Sequence, residues 1–149
     1  MRFWDSSAIL PLIVEEESSD RAARYYAAFP QLVVWWGASV ECTSALARLE
    51  REGALEARNT TQAHKQLQIL QSTWNEVQPL DAVRSVAQRL LRLHNLRAVD
   101  SLQLGAALVV ADHKPKTWEF VCLDTQLAAA AEREGFGIVS DFAKTKSRK

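Results

Sequence analysis

Arg2 to Leu10, RFWDSSAIL, is a short apolar run that ends on a carboxylate and changes character at once. Phe3 and Trp4 suit a buried strand, whereas Ser6 and Ser7 carry hydroxyls that accept backbone N–H bonds where a helix begins. The reading places Asp5 at the carboxyl end of a first strand that runs straight into a helix. Open α/β sheets begin this way and bind ligands outside the carboxyl ends of their strands. Asp5 also has a plain use there, because an N-cap is worth roughly 1 kcal/mol in any protein. What sets it apart is that lone acids recur in apolar surroundings further along.

Two stretches repeat the opening pattern. Leu32 to Trp36, LVVWW, is a β-rich run broken by Gly37, and Ser39 opens the helix Val40 to Glu52. Glu41 then lies in the first turn of a helix that follows a strand, where it also complements the helix dipole. In Glu119 to Asp124, EFVCLD, four apolar residues precede an acid, and an alanine-rich helix follows from Thr125 through Glu134. Gly135 ends that helix, and Gly137 to Val139 makes a last short strand.

Helical patterns fill the rest. Ser7 to Val14 reads as a helix with Pro11 in its first turns, Glu15 to Ser18 as a loop, and Ser19 or Asp20 as the cap of a helix that Pro30 stops. Asn59 or Thr60 starts an amphipathic segment to about Val77, and another, Asp81 to His94, begins after Pro79 with Asp81 as its cap. No strand-like run separates these two, so they read as an insertion between sheet units. Leu96 to Ala111, LRAVDSLQLGAALVVA, is apolar or small apart from Arg97, Asp100, Ser101 and Gln103, the mark of a helix buried over most of its surface. A carboxylate in that setting must be neutral, ion-paired or bound to a cation. Arg97, three residues earlier, and the dipole of the helix start are the partners nearest in sequence to Asp100.

The 149 residues suit one α/β domain, spanning residues 1–143, followed by a basic tail, Lys144 to Lys149, that reads as solvated and disordered. A hydrophobic share of 48% with 24% charged residues excludes a disordered chain, and a formal net charge of zero neither demands nor excludes a polyanionic partner. Cys42 and Cys122 stand far apart and offer neither a disulfide framework nor a zinc knuckle, so both read as reduced core residues. The start lacks the basic-then-apolar signature of a secretory leader, and no apolar run reaches the ~20 residues of a membrane span. The expectation is a soluble, cytoplasmic protein with no membrane partner.

Three acids, Asp5, Glu41 and Asp124, thus stand where a strand passes into a helix, and Asp100 stands early in a buried helix. If the strands are parallel and adjacent, these carboxylates meet at one sheet edge. Like charges that close raise one another's pKa unless cations intervene, and carboxylates with water are the ligand set of Mg²⁺ or Mn²⁺. Such a site suits phosphate-ester hydrolysis. No GxSxG elbow, HExxH, Walker loop or dinucleotide turn competes, and His64, His94 and His113 have no ligand spacing and read as surface or loop residues.

The motifs FWDSSA, SVE, LRAVDSLQLGAAL and VCLDTQLAAAAEREG, in this order over nearly the whole chain, resemble the PIN-domain nucleases, particularly the VapC toxins of bacterial toxin–antitoxin pairs. The resemblance implies a small central parallel sheet flanked by helices, a Mg²⁺ or Mn²⁺ site at the sheet edge and endonuclease activity on RNA. It puts the family's four acids on Asp5, Glu41, Asp100 and Asp124, with Ser6 helping to hold water or metal. The fourth motif departs from the family's T-x-D form, since Thr125 follows the acid instead of preceding it. A small VapB-like antitoxin and a toxin homodimer are the implied partners. Trp35, Trp36 and the helices from Ser7 to Phe29 offer aromatic surface for them. Arg2, Arg84, Arg89, Arg92, Arg97 and the tail are the groups available to hold an RNA backbone.

Three other readings compete. A receiver domain wants a pair of acids after its first strand and a late lysine, and a haloacid-type phosphatase wants a second Asp where Ser7 stands. A PIN-like module that only binds or regulates is the stronger rival, although it has no need of all four acids.

Overall fold

The computed structural model describes residues 1–139, so the expected tail, Lys144 to Lys149, lies outside the described residues. Five short strands form one parallel sheet: β1 (Arg2–Trp4), β2 (Val33–Trp35), β3 (Asn75–Val77), β4 (Glu119–Val121) and β5 (Gly137–Ile138), in the order β3-β2-β1-β4-β5. The helices α1 (Ser6–Ile9), α2 (Ser19–Ala28), α3 (Ala38–Arg51), α4 (Ala57–Thr73), α5 (Asp81–Leu93), α6 (Ala98–Val110) and α7 (Thr125–Arg133) flank it. This is the small central parallel sheet with helices that the sequence leads one to expect.

Side chains that alternate along a strand serve two cores. Phe3, Val33, Trp35 and Phe120 belong to a cluster shared with Val83 and Leu90 of α5, Leu104 and Leu108 of α6 and Leu127 of α7. Trp4, Val34 and Val121 point the other way, into a cluster with Ala8 and Ile9 of α1, Ala22 of α2, Leu46 of α3 and Leu67 and Leu70 of α4. A strand buried on both faces must be apolar throughout, which is why FW, LVVWW and FVCL lack the polar alternation of a half-exposed strand. Gly105 lets α5 and α6 approach closely: a Cβ there would stand 3.2 Å from the carbonyl oxygen of Val83 and 3.3 Å from the amide nitrogen of Ala87.

β1 lies at the centre, with β2 on one side and β4 on the other, so the direction of winding reverses at β1. A crevice opens at such a reversal, outside the carboxyl ends of the strands, and Asp5 is the residue that follows β1.

Several expectations require correction. A strand, β3, does separate α4 from α5, pairing Val33 with Asn75, Val34 with Glu76 and Trp35 with Val77. The two helices therefore belong to the winding of the sheet and are not an insertion. Of β3 only Val77 is fully buried, as befits an edge strand, so the segment has no hydrophobic signature of its own. The first helix stops at Ile9 and continues as a 3₁₀ turn over Leu10–Leu12 around Pro11, whose ring nitrogen has no proton to give. Ser18, not Ser19 or Asp20, precedes α2; the Ser19 hydroxyl instead accepts from the Glu16 amide at 2.8 Å and donates to the Val14 carbonyl at 2.9 Å. Asp81 is the first residue of α5 and not its cap, which is Leu80. His94 stands in the loop that follows α5, as expected, but not at the surface, for its side chain is only 8% exposed and meets Glu134 at 2.7 Å, beside Arg89 at 3.2 Å.

Cys42 and Cys122 are buried and free, as expected of reduced core residues. Among the described residues no helix is long and apolar enough to cross a membrane.

Candidate functional site

The strand-to-helix junctions place the acids as the sequence suggests. Asp5 ends β1 and caps α1, its Oδ2 accepting from the Ser7 amide at 3.1 Å and from the Ser7 hydroxyl at 2.5 Å. Its amide donates to the Val121 carbonyl at 2.9 Å, which extends the β1–β4 pairing by one residue and brings the two junctions side by side. The Ser7 hydroxyl also accepts from the Leu123 amide at 2.9 Å, and the Cys122 thiol lies 3.6 Å from Asp5 Oδ2. Asp124 caps α7, its Oδ1 accepting from the amides of Gln126 and Leu127, each at 3.0 Å. Glu41 stands in the first turn of α3, just after β2 on the other side of β1.

Asp100 reaches the same edge from α6, which packs against β2 and β3. Its Oδ2 meets Arg97 Nε at 3.2 Å, so the nearest partner in sequence does form an ion pair with this buried-helix acid. The pair is lopsided: the Arg97 side chain is 76% exposed and that of Asp100 15%. Hydrogen bonding to Asp100 and the negative charges of Asp100, Asp124 and Glu41 raise the pKa of Arg97, so one guanidinium answers three of the four acids.

Burial is the largest influence on the two acids nearest the centre. It pushes the Asp5 carboxyl above its ordinary value, against the lowering effect of its bonds to Ser7, and the charge of Asp100 pushes the same way. Glu41 is also raised, first by burial, then by the charges of Asp5 and Asp100, with hydrogen bonds from Gln103 and Ser6 opposing. The Cys42 thiol, buried next to Glu41 and within the field of Asp5, is pushed up to about 12, and that of Cys122 is likewise raised by burial. Neither cysteine is a thiolate at neutral pH.

Asp5, Glu41 and Asp100 are therefore brought together, while the Asp124 carboxylate caps α7 and its charge is felt at Arg97 and Cys122. Among the described residues no three His, Cys, Asp or Glu side chains stand in an arrangement that holds a metal ion. One oxygen of each carboxylate is engaged by a protein donor: Ser7, Gln103, Arg97 and the start of α7. The donor chemistry nonetheless fits an oxygen-seeking divalent cation, since these are hard carboxylate ligands under mutual repulsion with no sulfur or imidazole among them.

Two participants escape a reading for acids. Gln103, fully buried, donates from Nε2 to Ser6 Oγ at 2.8 Å and to Glu41 Oε1 at 3.1 Å. Its signal was a polar residue three positions after Asp100 in an apolar helix. Ser7 links Asp5 to Leu123, a role that no sequence pattern announces. Among the candidate RNA-holding groups, Arg2 stands at the amino end of β1, opposite the acidic edge, bound to Glu119 at 3.1 Å. Arg89 is tied to Glu134. Trp35 is core, whereas Trp36 is 50% exposed.

Fold and site together define an α/β protein with acids gathered at the switch point of a parallel sheet. No protein-family model matches the chain, and no curated protein does. The structure is similar to the crystal structure of PAE2754 from Pyrobaculum aerophilum, with a TM-score of 0.62 and 20% identity, over 99% of this chain and 90% of that one. At that identity the likeness shows the fold alone.

Proposed function

We propose that the protein is a Mg²⁺- or Mn²⁺-dependent endoribonuclease of the PIN-domain kind, acting in the cytoplasm as the VapC-like toxin of a toxin–antitoxin pair. The observation that carries this reading is that Asp5 and Glu41, on neighbouring strand ends, are both raised by burial while each lies in the field of further carboxylates. A fold gains nothing from such a cluster by itself, whereas a divalent cation makes it favourable. Asp5, Glu41, Asp100 and Asp124 would hold the cation, whose chemistry is to make water a nucleophile at neutral pH and to offset charge on the phosphodiester.

The chain's own groups divide the remaining work. Ser7 fixes Asp5, and Gln103 with Ser6 fixes Glu41, so the two innermost carboxylates are held in place. Arg97, on the rim, is placed to meet a phosphate oxygen when it leaves Asp100. Arg84 and Arg92 on the exposed side of α5 add sequence-independent attraction for an RNA backbone. A VapB-like antitoxin and a second toxin copy belong to the same proposal; Trp36 and Val40, 50% and 67% exposed where β2 passes into α3, are apolar surface for one of them.

One observation favours the rival reading of a silent PIN-like binding module: the Arg97 guanidinium already supplies positive charge to Asp100. The deciding assay incubates purified protein with structured cellular RNA, with and without Mn²⁺, beside Asp5→Ala. Cleavage that needs Mn²⁺ and is lost in the variant supports the nuclease. Cleavage that survives chelator or the substitution refutes the carboxylate mechanism, and no cleavage of any RNA favours the binding module.

A further inference from the structure

Gln103 has no exposed surface, yet its carbonyl oxygen Oε1 has no hydrogen-bond partner among the described residues. An orphaned acceptor in a low-dielectric interior is costly, and a leucine or methionine would fill the same volume without it. The other end of the amide explains why the residue is tolerated. Nε2 faces Ser6 Oγ at 2.8 Å and Glu41 Oε1 at 3.1 Å, so a single nitrogen ties α6 to α1 and to α3. The orientation is forced as well, because turning the amide over would set Oε1 against the Glu41 carboxylate.

We infer that Gln103 is a positioning residue of the acidic site: it holds the Glu41 carboxylate and the Ser6 hydroxyl in the arrangement that receives a divalent cation, at the expense of leaving its own oxygen unpartnered. The inference rests on the cation site proposed above. Gln103 stands three residues after Asp100 on α6, so the helix that delivers one acid also fixes another that arrives from α3. Outer partners of this kind change metal affinity without touching the metal, and their loss costs about 10–100-fold in affinity.

The test is calorimetric titration with Mn²⁺, with thermal melts in chelator alongside, for the full chain and for Gln103→Met, Glu41→Gln and the double variant. The expected result is a Gln103→Met protein at least as stable as wild type in chelator, with Mn²⁺ affinity lower by about 10–100-fold. In the Glu41→Gln background the same substitution is expected to cost less than it does in wild type, because part of its effect passes through Glu41. Gln103→Asn, an amide one methylene too short, is expected to lose affinity similarly and serves if the Met variant does not fold. Wild-type Mn²⁺ affinity in Gln103→Met or Gln103→Asn, or an equal loss with Glu41 already replaced, overturns the inference while leaving the cation site standing. Absence of Mn²⁺ binding by the wild type overturns both.

Discussion

Replacing Asp5 by Asn removes the most deeply buried charge of the site without changing its shape. Asn caps helices about as well as Asp, so the bonds from the Ser7 amide and hydroxyl survive. They weaken from charge-assisted to neutral, a loss of about 1–2 kcal/mol. Against this, the variant no longer takes a carboxylate out of water, which relieves several kcal/mol. Burial outweighs the Ser7 bonds in raising Asp5, so relief wins and the apo protein gains stability at alkaline pH. The gain is on the order of 1–3 kcal/mol, or roughly 2–12 °C in Tm for a domain of this size. The sign follows from linkage: a folded-state pKa above the unfolded value means stability that is complete below the ordinary carboxylate range and lost as pH rises through the raised pKa. Wild type should therefore fall behind Asp5→Asn progressively as pH rises above the ordinary carboxylate range, in melts followed by circular dichroism in chelator. A variant less stable than wild type at every pH, or a gap that does not change with pH, would refute the reasoning.

Glu134 gives the opposite sign. Burial works to raise it, but the bonds from His94 and Arg89 prevail and hold it below its ordinary value. The stability it lends to the α5–α7 contact is thus present above the usual glutamate range and lost as pH falls through the lowered pKa, so the deficit of Glu134→Gln relative to wild type should shrink in acid melts. Asp124→Ala removes two capping bonds and should cost about 0.5–2 kcal/mol, whereas Asp124→Asn keeps the cap; loss of Mn²⁺-induced stabilisation in both variants would separate ligation from capping. Arg97→Ala should change apo stability by less than about 1 kcal/mol, since its guanidinium is mostly exposed, and should tighten Mn²⁺ binding in calorimetry by freeing Asp100. Unchanged or weaker Mn²⁺ affinity there would mean that Arg97 does not compete with the cation.

The sequence by itself determined the α/β class, because FW, LVVWW and FVCL are apolar without alternation and only a strand covered on both faces needs that. It also showed where each of the four acids stands in its element, since an acid that ends an apolar run, or interrupts an apolar helix, is visible in one dimension. It could not show β3, whose Asn75 and Glu76 become strand only because β2 offers them a hydrogen-bonding edge. Nor could it choose among the partners of Asp100: Arg97 three residues earlier was one possibility among several until the start of α6 set the guanidinium over the carboxylate. The chain order 3-2-1-4-5, which brings Glu41 and Asp124 to either side of Asp5, is likewise decided by packing on the two faces of the sheet. Ser7 and Gln103 acquire their roles only in three dimensions, because their partners lie 116 and 62 residues away in the chain.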